Sequence, residues 1–152
     1  MAIPNEMKAL IGVPTEPSVW EVEKGSIRRY AGAIADPNPL YCDEDHAKRT
    51  KYGGVICPPG FFGWQLSGER PGFAVAEKWR KVGAPRLLDG GIDYEFFKPI
   101  HAGDVLVSSS KIADIAERET KRGPMYFTTM ETTYQNQNGE VVCKARSTLI
   151  TY

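Results

Sequence analysis

The 152-residue chain balances nineteen Lys and Arg against nineteen Asp and Glu, with 41% hydrophobic and 25% charged residues. This is the composition of a globular protein with a real core, and its length suits one domain, so residues 1–152 are expected to form a single domain. There is no basic field to grip a phosphate backbone and no apolar run of membrane-spanning length, so neither nucleic acid nor membrane is expected as a partner.

The N-terminal stretch MAIPNEMKALIGVPTEPS lacks the charged start and apolar core of a signal peptide. Cys42, Cys57 and Cys143 form no CxxC pair and leave one thiol over in any disulfide scheme. Reduced thiols and a cytoplasmic location are expected. Two histidines and scattered cysteines offer no metal site, and no cofactor is expected.

In chain order, SVWEV reads as a short first strand. In KGSIRRYAGAIAD, the spacing of Ile27, Tyr30, Ala31 and Ile34 predicts one apolar helix face, with Ser26 as N-cap and Pro37 ending the helix just after Asp36. Asp43 predicts the N-cap of a second short helix running to about Arg49. CPPGFFGWQLSG starts with two prolines, tolerated in a first helical turn, and carries Phe61, Trp64 and Leu66 among three glycines. A helix so poor in intrinsic propensity forms because it is buried. Residues 69–85 read as a loop-rich excursion with some helix around FAVAEKW.

The second half predicts strands. GIDYEFFKPI, DVLVSSSKIADI, MYFTTMETTYQN and VVCKARSTLITY alternate in side-chain character, and Asn138-Gly139 is a hairpin signal. Asp89, Gly90 and Gly91 predict a glycine bulge that can also line a ligand site. The aromatic run YEFF is expected in the core. Helices first and strands later make the class α+β, with a long apolar helix laid on an antiparallel sheet. The exposed edges of such a sheet predict an oligomer.

Three stretches carry a family resemblance. They are YAGAIADPNPLYCDEDHAKRTKYGGVICPPGFF, LLDGGIDYEFFKPIHAGDVL and NQNGEVVCKARSTLI, in that order along the chain. Together they resemble the MaoC-like hydratase/dehydratases of the hot-dog fold, in the FAS1-like dehydratase (MaoC N-terminal) branch. The resemblance implies a curved antiparallel sheet wrapped around a central helix and paired as a dimer. It implies hydration of a 2-enoyl thioester of CoA or acyl carrier protein, or dehydration of the 3-hydroxyacyl thioester. In that family an Asp and a His five positions later orient the water. Imidazole titrates near neutral pH and serves as base. A backbone N–H at the start of the central helix meets the charge developing on the thioester carbonyl.

Asp36 matches the family's Asp, and Asn38 and Pro39 match its loop. Tyr41 stands where the His is expected, and a phenol of pKa about 10 is a poor base at neutral pH. Pro58-Pro59 stand where the family often has His-Gly, and proline has no N–H to donate. Gly60 is the nearest substitute. Asp36 and Tyr41 are therefore the candidate catalytic residues. Asn38, Gly60, Phe61, Trp64, Leu88, Asp89, Gly90 and Gly91 are the candidate substrate-binding residues. Asp36 also has a plain role as a turn residue capping backbone N–H groups, and Tyr41 as a packed aromatic with a satisfied hydroxyl. His46 and His101 match neither catalytic position. Cys57 is expected to be buried and inert.

Both departures remove chemistry and keep the fold. The resemblance then implies a substrate-holding subunit whose partner is a second MaoC-like hot-dog chain bearing the intact Asp/His pair. Three alternatives stay open: a homodimer active through Asp36, a non-catalytic acyl-thioester binding protein, and a hot-dog thioesterase.

Overall fold

The computed structural model describes residues 3–61, 71–121 and 123–152. In chain order the elements are α1 (Asn5–Lys8), β1 (Ser18–Glu21), α2 (Lys24–Ala33), a 3-10 turn (Pro39–Tyr41), α3 (Glu44–Lys48), α4 (Pro71–Lys81), β2 (Leu87–Phe96), β3 (Val105–Thr120), β4 (Gly123–Gln135) and β5 (Val141–Thr151). The five strands form one antiparallel sheet in the order β1-β3-β4-β5-β2.

Period-two alternation gives the sheet an inner and an outer face. Tyr126, Thr128, Met130 and Tyr134 of β4 are buried on the inner face, while Glu131 and Thr133 lie on the other. On β3 the inner residues switch from even to odd numbers. A bulge between Ile112 and Asp114 makes the switch, so Ile112 and Ile115 both reach the core. The β4–β5 connection at Asn136–Glu140 is longer than a two-residue turn. The Asn136 side chain accepts from the N–H groups of Asn138 and Glu140, and Gly139 takes φ 75°.

The glycine bulge expected on β2 is present between Asp89 and Ile92. The two glycines serve different ends. A Cβ on Gly90 would lie 2.9 Å from the carbonyl oxygen of Thr148 on the next strand, and Gly91 takes φ 110°.

Two cores sit on the inner face. One gathers Val22, Ile27, Tyr41, Phe61, Leu106 and Tyr134 beneath α2 and the loop after it. The other gathers Met7, Val75, Trp79, Ile112, Tyr126 and Met130 beneath α4. Trp79 is fully buried, donates from Nε1 to Thr128 Oγ1 at 2.9 Å, and stacks on Tyr126 with ring centroids 4.3 Å apart.

Three expectations need correction. Helix α2 starts at Lys24 with Glu23 in the N-cap position, so Ser26 lies within the first turn, its hydroxyl turned to Glu23 and Arg29. The helix ends at Ala33, before Asp36. Ala35 takes φ 54° and the Asp36 N–H bonds back to the Ala31 carbonyl at 2.9 Å, which closes the helix one turn early. The YEFF run is not all core. Tyr94 is half-buried, but Phe96 and Phe97 are 43% and 49% exposed, because β2 is an edge strand with no further strand beyond it among the described residues. Most of the expected apolar helix after Pro58, including Trp64, lies outside the described residues.

Candidate active site

The loop leaving α2 is built from two consecutive side-chain turns. Asp36 Oδ1 accepts the Asn38 N–H at 3.0 Å, and Asn38 Oδ1 accepts the Leu40 N–H at 3.1 Å. Short polar side chains next to proline form such turns because they can satisfy backbone donors two residues on. The result fixes Asp36, Asn38 and Tyr41 in one cluster. The Tyr41 N–H donates to the Asn38 carbonyl at 3.1 Å, and its ring is buried against the first core.

Burial pushes the Tyr41 phenol above its ordinary pKa, and the nearby Asp36 charge pushes it further. A hydrogen bond with the Asn38 side chain opposes the shift without cancelling it. Tyr41 is therefore a neutral phenol at physiological pH, able to donate a hydrogen bond and unable to take a proton.

The segment after Val55 runs beside the turn at Ile100–Ala102. The Cys57 N–H bonds the Ile100 carbonyl at 2.7 Å, and the Ala102 N–H bonds the Val55 carbonyl at 3.0 Å. Burial pushes the Cys57 thiol well up, which keeps it protonated and unreactive. The chain then turns at Pro58, whose carbonyl accepts the Phe61 N–H at 3.2 Å. Pro59 offers no donor. Gly60 takes φ 83°, and a Cβ there would lie 3.3 Å from the Tyr30 hydroxyl. Phe61 meets the Tyr30 ring edge-on at 5.5 Å.

Sequence reading assigned Tyr30 and Tyr94 to the core and missed their place here. Tyr30 stands over Gly60. The Tyr94 phenol is raised by burial first, then by Cys143, Tyr30 and Asp89. It thus lies between the α2 side of the site and the β2 bulge. No local motif marks either tyrosine; only the β2–β5 register, which pairs Tyr94 with Ala145, places it.

The expected site residues fall into two groups. Asp36, Asn38 and Tyr41 are together, with Gly60 and Phe61 packed on the same core through Tyr30 and Phe61. Leu88 and Asp89 are at the other end of β2, opposite Ile150 and Leu149, with Gly90 and Gly91 beside them in the bulge. His101 is held in its turn: its ring Nε2 bonds the Tyr52 carbonyl at 2.9 Å, so that nitrogen carries the hydrogen. Neither histidine is among the groups that act on Tyr41. Among the described residues no three His, Cys, Asp or Glu side chains converge as a metal site requires, and no helix is long and apolar enough to cross a membrane. A trough of about 750 Å³ crosses the outer face, lined by Asp93, Glu95, Lys111, Glu131, Lys144 and Arg146 among others; among the described residues none of the expected site residues lines it.

Residues 9–145 match the family described as FAS1-like, dehydratase domain region. The chain belongs to that family. A UPF0336 protein of Thermobifida fusca is 40% identical over 99 residues, 65% of this chain and 64% of that protein. The chain thus spans just under two thirds of that relative's length. Among solved structures, the ChsH1–ChsH2 complex of Mycobacterium tuberculosis aligns with a TM-score of 0.79 at 20% identity, covering 97% of this chain and 92% of that one. The HadBC 3R-hydroxyacyl-ACP dehydratase complex of the same organism, C-terminally truncated, aligns at 0.75 with 22% identity, covering 93% and 96%. At these identities the likeness establishes the fold, which is the hot-dog fold of MaoC-like dehydratases.

Proposed function

We propose that this FAS1-like dehydratase domain is the substrate-holding component of an acyl-thioester hydratase/dehydratase, and that a second hot-dog subunit supplies the Asp/His pair. The reaction adds water across a 2-enoyl thioester of CoA or acyl carrier protein. Hydroxide equivalent goes to the β-carbon and a proton to the α-carbon; dehydration is the reverse.

The neutral phenol of Tyr41 carries this reading. Water addition needs a group that takes a proton near pH 7. By the resemblance Tyr41 stands where that group is expected, and burial together with the Asp36 charge moves its phenol away from that range. Pro59 supports the same conclusion, since it removes a donor where the thioester carbonyl would be met. Two of the similar structures are named as two-component complexes, which favours a hot-dog partner. Among the described residues no strand pairs with the outer edge of β2, and that edge is where a partner sheet would pair.

The convergence of Asp36, Asn38 and Tyr41 favours one second reading. In a homodimer, Asp36 would act as base, Tyr41 as donor and the Gly60 N–H as carbonyl donor. The assay that separates them follows loss of enoyl-thioester absorbance with a short enoyl-CoA. The purified chain alone is expected to be inactive, with activity appearing when a hot-dog subunit with an intact Asp/His pair is added. Turnover by the chain alone, abolished in Asp36→Ala, would establish the homodimer instead.

A further inference from the structure

The β2 edge carries both apolar surface and unspent charge. Leu87, Leu88, Ile92 and Phe96 are 40–47% exposed. Asp89, Asp93 and Glu95 are exposed on the same strand, which has no basic residue. Bases do stand opposite on β5, where Arg146 pairs in register with Asp93 and Lys144 with Glu95. Both side chains turn elsewhere. Arg146 Nη1 lies 3.4 Å from Glu131 Oε1, and the Lys144 ammonium sits 5.8 Å over the Phe97 ring. Among the described residues neither Asp93 nor Glu95 forms an ion pair.

A strand edge charged only to stay soluble would not also expose Ile92 and Phe96. The edge is built to be covered, and its charges decide by what. The bulge between Asp89 and Ile92 puts Asp89 on the face of Ile92 and Tyr94, so beyond it Asp93 and Glu95 share the outer face. A second copy pairing antiparallel about a twofold axis meets acid with acid in the registers centred on that pair. Centred on 93, Asp93 faces its copy; on 94 it faces Glu95; on 95, Glu95 faces its copy. Like charges directly opposite each other oppose strand pairing.

We infer that the β2 edge selects a hot-dog subunit different from this chain, whose pairing strand carries Lys or Arg opposite Asp93 and Glu95. This rests on the proposed two-component enzyme and names how the partner is chosen. The acids reject self-pairing, and the apolar side chains between them supply the burial once a complementary strand arrives.

A charge-reversed copy of the same chain, D93K/E95K, is a defined basic-edged partner, and D93N/E95Q is a neutral one. Sedimentation equilibrium of the full chain measures self-association at low and high salt. Wild type alone should associate most weakly, and more tightly as salt screens the repulsion. D93N/E95Q should self-associate more tightly than wild type. Wild type mixed with D93K/E95K should associate on the order of tenfold more tightly than wild type alone, with the opposite salt dependence. A tight, salt-insensitive wild-type homodimer, or D93N/E95Q and mixed samples no tighter than wild type, would overturn the inference. Hydration assays on the same samples keep the two proposals apart. A tight wild-type homodimer without turnover removes the charge selection alone. Turnover by wild type alone removes the subunit role, and sedimentation still decides the charge selection.

Discussion

Trp79 and Tyr41 are both buried aromatic side chains with a polar tip, and their surroundings differ in kind. Trp79 sits on a regular helix, its N–H satisfied by Thr128 and its face stacked on Tyr126. Tyr41 sits in a 3-10 turn held by two side-chain turns, with a carboxylate close enough to raise its pKa. The first satisfies every group and anchors the sheet. The second keeps a phenol beside a charge on irregular backbone, an arrangement that costs stability and is worth keeping only where a donor is needed in a fixed place.

Substitutions test that contrast directly. The largest expected effect is at the anchor: Trp79→Ala should cost about 3–5 kcal/mol in denaturant-derived stability, through lost burial and an orphaned Thr128 hydroxyl. A loss under about 1 kcal/mol would mean the α4 core is not the anchor.

Next comes alkaline pH. Burial pushes the Cys143 thiol up to about 11 from its ordinary 9.0, while a backbone hydrogen bond with Glu95 pulls the other way. A group whose pKa rises on folding contributes fully below its unfolded value. That contribution is lost as pH climbs through the folded one. Stability should therefore hold to about pH 9 and fall toward pH 11, with Cys143 contributing on the order of 2 kcal/mol of the fall. Cys143→Ala should flatten part of the slope. The raised Cys57 thiol and the raised phenols of Tyr41, Tyr94, Tyr126 and Tyr134 keep the remainder.

At the β2 bulge, Gly90→Ala should cost roughly 1–3 kcal/mol, because the new methyl meets the Thr148 backbone, which cannot swing aside. On the site side, Tyr41→Phe should cost about 1 kcal/mol, the worth of one hydrogen bond, which thermal melts would detect. If Tyr41→Phe matched Trp79→Ala, the contrast between anchor and site would fail. Smallest of all, Glu131→Gln should change stability by less than about 1 kcal/mol, since Lys111 and Arg146 reach it across exposed surface.

Much of this was legible in the sequence because it is local. Alternation marked β3 to β5, Asp43 marked the start of α3, and the Gly90-Gly91 pair marked the bulge. The early end of α2 was not legible. Ala35 takes a left-handed conformation that glycine or asparagine usually advertises, and Pro37 offered a more obvious stop. The exposure of Phe96 and Phe97 also escaped, because alternation says which residues share a face and not whether a strand has a neighbour on both sides. In the candidate site, Asp36, Asn38 and Tyr41 could be grouped because six residues of chain hold them. Tyr94 could not, since strand register brings it in from far along the chain, and Tyr30 could not, since its contact at Gly60 lies 30 positions on.

The N-terminal segment has a consequence for how the molecule is made. Thr15 accepts from the Ser110 N–H, a contact 95 positions apart, and among the described residues β1 pairs with β3 alone. On the ribosome those first strand residues must wait until β3 emerges, on the order of 5 to 20 s at ordinary elongation speeds. Until then β1 cannot pair, and its apolar side chains stay open to contact with other chains. Slowing translation between α4 and β3 should lengthen that wait and lower the yield of soluble protein, while leaving the stability of the finished fold unchanged.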